Sequence, residues 1–344
     1  MDMISTEAVL AGIPSPTLLI DGNERIAQMN AAAMAHFGPV TGRSFVTVLR
    51  NPGLLEALTA ALAGEGAREL RVVSVSVSRV ETPMLVRVTP LKGSACVMLV
   101  FEDLSEVETA EAMRRDFVAN VSHELRTPLT ALMGFIETLR GAARDDPAAR
   151  ERFLSIMERE ALRMNRLVGD LLSLSRVEAE ERRRPEHPVD LALVVQSVMQ
   201  SLRPQAEAAK VVLERTGEAG PLKLPADPDQ ITQVLTNLVE NAMKYGGTGG
   251  RVEICLKRVA HEPVLRGAAI SVEVRDFGDG IAPQHIARLT ERFYRVDTHR
   301  SREQGGTGLG LAIVKHIVAR HRGRLRITSE VGKGSCFAIL LPES

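Results

Sequence analysis

The stretch Phe117-Val118-Ala119-Asn120-Val121-Ser122-His123-Glu124-Leu125-Arg126-Thr127-Pro128 sets a nucleophilic imidazole beside a carboxylate on a segment of helical character. A neutral imidazole can attack phosphorus through one ring nitrogen while a neighbouring carboxylate takes the proton of the other, and Glu124 is the adjacent candidate. Pro128 cannot donate a hydrogen bond to the carbonyl of Glu124 and costs a helix about 3 kcal/mol. Such a cost suggests a purpose, and a bend one turn after His123 is expected where a second domain would approach.

A second constellation is Asn237-Leu238-Val239-Glu240-Asn241-Ala242-Met243-Lys244-Tyr245. Asn237, Asn241 and Lys244 project from one helical face. An amide oxygen is a hard ligand suited to Mg²⁺ with its retained waters, and a lysine beside it can pair with a phosphate. After an extended run comes Asp276-Phe277-Gly278-Asp279-Gly280, where a carboxylate at a strand end could accept a hydrogen bond from an adenine amino group. Its glycines let the backbone come close to a base. Gly305-Gly306-Thr307-Gly308-Leu309-Gly310 leads into a helix whose first N–H groups could receive phosphate oxygens. Gly305 and Gly310 have Walker-type spacing, but Leu311 and Ala312 stand where Lys and Ser/Thr are required, and the GxGxxG pattern of a dinucleotide fold is absent too.

These residues need elements to position them. Residues 1 to about 103 read as a small α+β module: a strand at Leu18 to Ile20, a turn at Asp21-Gly22, a strand at Arg25 to Met29, and Asn30 as N-cap of a helix from Ala31 to Phe37. Three further runs, Glu69 to Val77, Met84 to Thr89 and Ala95 to Phe101, read as consecutive antiparallel strands. From Ser105 two long helical stretches follow, separated near Gly141 and Arg144-Asp145-Asp146-Pro147. In the second, Phe153, Met157, Ala161, Met164, Val168 and Leu171 share one face. A lone hairpin about 45 Å long leaves much of that stripe wet, so two hairpins paired as a four-helix bundle, and hence a homodimer, are expected.

A linker at Glu180 to Pro188 introduces a mixed α/β layer region. Asp227-Pro228-Asp229-Gln230 offers an N-cap, a proline at the first helical position and a glutamine placed to close a capping box.

The 43 basic residues balance 43 acidic ones, so no overall field attracts nucleic acid or an anionic membrane. Cys96, Cys255 and Cys336 lie far apart with no zinc-ligand spacing, which fits a reduced cytoplasmic setting. The apolar run Ala95 to Phe101 is far below the roughly 20 residues of a membrane span. No membrane segment is expected in this chain.

Taken in order, these motifs resemble the H, N, G1, F and G2 boxes of sensor histidine kinases of two-component systems, with Glu291-Arg292-Phe293-Tyr294-Arg295 as the F box. The resemblance covers about residues 105 to 344. It implies a multidomain α+β chain: a dimeric antiparallel four-helix-bundle phosphoacceptor domain at 105–180 and an ATP-binding α/β sandwich like those of gyrase, Hsp90 and MutL at 189–344. It further implies autophosphorylation of His123 from ATP and transfer to an aspartate on a response regulator receiver domain. By the same analogy Asn241 holds Mg²⁺, Asp276 reads adenine, Asn237 and Lys244 contact phosphates, and Gly306, Thr307, Gly308, Leu309 and Gly310 border the ATP lid. Tyr245, Gly278, Gly280 and Phe293 join the nucleotide set as members of their boxes.

Hydrolysing relatives of the ATP-binding fold carry a water-activating glutamate one turn before the Mg²⁺-binding asparagine. Asn237 stands there, and an amide is no general base, so transfer is favoured over hydrolysis. Family members with Glu-x-x-Thr after the histidine often dephosphorylate their partner, and Glu124 and Thr127 fit that pattern. The alternative role for Thr127 is a hydroxyl bonded back to a helical carbonyl. Residues 1–104 resemble a PAS domain through Leu18 to Gly22 and Asn30-Ala31-Ala32, most closely that of phosphate-regulon sensor kinases.

Overall fold

The computed structural model describes residues 5–181, 183–296 and 306–343. Two compact units, Met1–Ala119 and Asn120–Ser344, divide the chain inside one long helix.

The first unit contains α1 (Thr6–Ala11), β1 (Thr17–Ile20), β2 (Ile26–Met29), α2 (Ala31–Phe37), α3 (Phe45–Val48), α4 (Pro52–Leu62), β3 (Arg68–Val75), β4 (Glu81–Pro90) and β5 (Val97–Asp103). Its antiparallel sheet has the order β2-β1-β5-β4-β3. Alternation along β4 buries Met84, Val86 and Val88, which join Phe45, Leu54, Leu58 and Phe101 in one core. Asn30 caps α2 as its position predicts, accepting from Ala33 N–H at 2.9 Å. Helix α4, capped by Asn51 with Pro52 at its first position, carries a start signal that the strand-rich reading of this region passed over.

The second unit begins within α5 (Ser105–Arg140), which is followed by α6 (Pro147–Glu180). Asp146 ends the connection by accepting from Ala149 N–H, and Pro147 opens α6 with its preset φ. Helix α5 is unbroken at Pro128, whose ring is buried. Helix α6 has two apolar faces where the sequence shows one. Leu167, Leu174 and Val177 are buried, and α6 packs against a later helix, Gly310–Arg320; Val168 of the predicted stripe stays exposed.

The remaining elements are β6 (Pro188–Asp190), α7 (Leu191–Ala208), β7 (Val212–Gly217), β8 (Lys223–Pro225), α8 (Pro228–Tyr245), β9 (Arg251–Glu262), β10 (Gly267–Asp276), α9 (Pro283–Ile286), α10 (Gly310–Arg320), β11 (Arg324–Glu330) and β12 (Gly334–Pro342). Their main sheet has the order β11-β12-β10-β9-β7; β7 runs parallel to β9 and the other pairs are antiparallel. Helices α7, α8 and α10 pack together, and α8 also meets β9 and β10. Asp227 caps α8 and Pro228 is its first residue. The capping box does not close, however. The Asp227 N–H is taken by His321 Nε2 at 3.0 Å, and Gln230 Oε1 is buried without a hydrogen-bond partner.

No helix among the described residues is long and apolar enough to cross a membrane.

Candidate functional site

Helix α8 divides its residues by period. Ile231, Val234, Leu235, Leu238, Val239 and Ala242 are buried. The opposite face carries Asn237, Glu240, Asn241 and Lys244, all four lining a cavity of about 320 Å³. Asn237 Nδ2 donates to the Gly310 carbonyl at 3.4 Å, tying α8 to the start of α10.

The end of β10 brings Asp276 to the same cavity. This side chain is only 5% exposed; its Oδ1 accepts from Gly278 N–H at 3.1 Å and Ser335 N–H at 3.2 Å. Burial nevertheless raises its pKa above the ordinary carboxylate value, against those bonds. A buried acceptor of this kind suits a neutral donor such as an aromatic amine. Gly280, at φ +69°, has no room for a side chain, since a Cβ would lie 2.2 Å from the Glu330 carbonyl oxygen. Gly308, at φ +75°, lies close to the Phe293 backbone, where a Cβ would come within 2.8 Å of the Phe293 Cα, and the Phe293 N–H donates to the Gly308 carbonyl at 2.8 Å. Both glycines line the cavity, and a larger residue at either would have to displace the backbone packed against it.

Of the expected nucleotide residues, Asn237, Asn241, Lys244, Tyr245, Asp276, Gly280, Gly306, Thr307, Gly308 and Gly310 line this cavity. Gly278, Phe293 and Leu309 are not among its lining residues. Gly278 lies against Gly246, Phe293 buttresses Gly308, and Leu309 is fully buried. Gly305 falls outside the described residues.

His123 is exposed on α5. Its carbonyl accepts from the Thr127 hydroxyl at 3.2 Å, so Thr127 is bonded back along the helix in the alternative geometry. Glu124 is engaged elsewhere, with Oε2 accepting from Arg163 Nη2 at 2.8 Å and from Arg295 Nη2 at 3.1 Å. In this arrangement the carboxylate expected to serve the imidazole is held by two guanidiniums.

Residues 113–180 match the His Kinase A (phospho-acceptor) domain, and residues 226–344 match the histidine kinase-, DNA gyrase B- and HSP90-like ATPase domain. The phosphate regulon sensor protein PhoR of Pseudomonas aeruginosa is 42% identical over 250 residues, which cover 72% of this chain and 54% of PhoR. The sensor-like histidine kinase SenX3 of Mycolicibacterium smegmatis is 39% identical over 72% of this chain and 62% of its own. The chain belongs to the sensor histidine kinases. It spans about half the length of the first of these relatives.

Among solved structures, the Acinetobacter baumannii histidine kinase AdeS aligns with 64% of this kinase and 98% of its own chain, with a TM-score of 0.50 and 28% identity. The histidine kinase ThkA, in complex with the response regulator protein TrrA, aligns over 99% of both chains with a TM-score of 0.53 at 19% identity, a likeness of fold.

Among the residues lining the kinase cavity to which the sequence assigned no role are the charged Arg166, Asp170, Glu240 and Arg295. Glu240 and Arg295 sit inside the N and F boxes, and their places in those strings were a signal. Arg166 and Asp170 come from α6, and only the packing of α6 on α10 brings them here. Burial raises the pKa of Asp170 and Glu240 above the carboxylate norm. Arg295, with a side chain only 6% exposed, has a buried Nε without a hydrogen-bond partner among the described residues. Such an orphaned donor suits an anionic ligand.

Proposed function

We propose that the cavity binds ATP and that His123 receives its γ-phosphoryl group before passing it to an aspartate of a response regulator receiver domain. One observation carries this reading. The buried Asp276 acceptor, the amide-and-lysine face of α8 and the orphaned Arg295 donor line one cavity in a chain whose acceptor domain bears His123. Asp276 and the walls at Gly280 and Gly308 suit the adenine end and the close passage of a nucleotide. Lys244, Arg295 and the loop entering α10 suit its phosphates. Asn241 would hold Mg²⁺, which supplies charge neutralisation at the phosphates.

In the transfer, an imidazole nitrogen of His123 forms the N–P bond as the bond from the γ-phosphorus to the ADP oxygen breaks. The proton of the other ring nitrogen goes to Glu124. Arg295, carried by the nucleotide domain, leaves that carboxylate when this domain moves, while Arg163 on α6 stays beside it. Asn237 lacks the basicity to activate water, which favours transfer over hydrolysis.

Incubation of the chain with Mg²⁺ and γ-labelled ATP tests the reading. An acid-labile, base-stable protein label that is lost in His123→Ala is expected. Labelled free phosphate with no labelled protein would point to an ATPase instead, and ATP binding without turnover to a nucleotide-binding scaffold.

The finer reading has residues 1–104 as a PAS-like sensor, 105–180 as the dimerising acceptor domain and 189–344 as the catalytic domain of a cytoplasmic homodimer. The five-stranded antiparallel sheet of the first unit supports the PAS-like assignment. The similarity to PhoR supports a place in phosphate-regulon signalling. Regulator phosphatase activity is included, with the Thr127 hydroxyl turning from the His123 carbonyl to orient water. Unchanged regulator dephosphorylation in Thr127→Ala would remove that activity from the scheme.

A further inference from the structure

One wall of the nucleotide cavity is supplied by the acceptor domain. Arg166 and Asp170, one turn apart on α6, both line it. The register of this helix face is pinned along its length. Arg163 holds Glu124, Asp170 Oδ2 accepts from Thr307 Oγ1 at 2.6 Å, Ser173 Oγ donates to Gln233 at 2.9 Å, and Glu178 accepts from Arg292 at 2.6 Å. These contacts determine where α6 presents Arg166.

Arg166 forms no ion pair among the described residues, although Asp170 and Glu240 are near enough to feel its charge. A second cation lines the same cavity. Lys244 has its pKa lowered to about 8, first by burial and next by Arg166. Arg295, whose Nη2 is paired with Glu124 but whose buried Nε is unpartnered, adds a third positive group to the same lining. Three cations converging on one cavity repel one another unless a ligand of high negative charge lies between them. The two carboxylates do not remove that demand, because Asp170 Oδ2 is taken by the Thr307 hydroxyl and neither Asp170 nor Glu240 forms an ion pair with Arg166 among the described residues.

We propose that Arg166 is a phosphate-binding residue of the nucleotide site, contributed by the second helix of the acceptor domain and directed at the phosphate chain of a nucleoside triphosphate. This rests on the reading of the cavity as an ATP site and completes it. The adenine end is built by the nucleotide domain, while the phosphate end is shared with the helix that packs beside the acceptor histidine. Binding of a long phosphate chain then favours the packed arrangement of the two domains, and a nucleotide with a short chain does not.

Calorimetric titration of the full chain with a non-hydrolysable ATP analogue and with AMP, both with Mg²⁺, separates this role from a structural one. Arg166→Ala is expected to weaken analogue binding by about tenfold or more, the loss of one charge-assisted hydrogen bond, while leaving AMP binding unchanged. Arg166→Lys should recover part of the loss, and Arg166→Gln should behave like the alanine variant. Unchanged analogue affinity in Arg166→Ala, or equal losses for the analogue and AMP, would overturn the assignment. A wild-type chain that binds neither nucleotide would instead overturn the ATP reading on which the assignment stands.

Discussion

Lys244 is asked to be a cation in a place that discharges it. Burial and then the neighbouring Arg166 bring its pKa down to about 8, so near pH 8 the free site holds it about half protonated. On the proposed nucleotide reading, a bound phosphate chain would restore the charge by attraction. Nucleotide binding should therefore take up a proton, and affinity should fall as pH rises through that value. Calorimetry at pH 8 in two buffers of different ionisation heat measures the uptake, and Lys244→Met should abolish it. Glu124 presents the opposite case. Its partners Arg163 and Arg295 lie far from it in sequence, so its adjacency to His123 does not decide what it contacts.

The elements depend on a few polar side chains that do several jobs at once. Asn30 Oδ1 accepts from Thr17 N–H and Ala33 N–H, while its Nδ2 donates to the carbonyls of Ile13 and Ser15. It caps α2 and ties that helix to the start of β1. Asn30→Ala leaves buried groups unpaired and should destabilise the first unit by about 2–3 kcal/mol, seen as a lower urea midpoint. His321 joins α10 to α8 in a similar way. Its Nδ1–H donates to the Ile317 carbonyl at 2.8 Å, and its Nε2 accepts from Asp227 N–H at 3.0 Å.

Burial lowers the His321 pKa below the ordinary value of 6.5. The unfolded chain thus binds this proton more readily than the folded one. The associated stability is complete above that value and is lost as pH falls through the lower folded pKa. Urea midpoints at pH 7.5 and pH 5 should differ in that direction, and the difference should shrink in His321→Gln.

At the scale of the molecule, the hairpin of α5 and α6 leaves one surface without cover. Phe135 and Phe153 pack across it with ring centroids 5.4 Å apart, yet Leu129, Met133, Ile136, Leu154 and Leu162 remain exposed. On the proposed homodimer, a second copy supplying the same surface would bury them in a four-helix bundle. The double variant Leu129→Glu with Met133→Glu should halve the mass found by sedimentation equilibrium; an unchanged dimer would place the interface elsewhere.

Much of this protein was legible because its chemistry is local. Asn237, Asn241 and Lys244 share a face by helical period alone, and Asp146 and Asp227 announce helix starts through bonds only a few residues long. Long-range competition decided the rest. Gln230 was well placed to complete a capping box, but His321, brought in from α10, reached the Asp227 N–H first. The second apolar face of α6 mixes Leu167, Leu174 and Val177 with charged neighbours, so its burial emerges only when α10 packs on it. The same packing delivers Arg166 and Asp170 to a cavity otherwise built from residues 237–337. The order of the boxes pointed to a nucleotide site and an acceptor histidine, because each box carries its own chemistry over a few residues. Only the tertiary structure decided which helix closes that site and which charges hold Glu124, because those contacts join side chains that period and spacing do not relate.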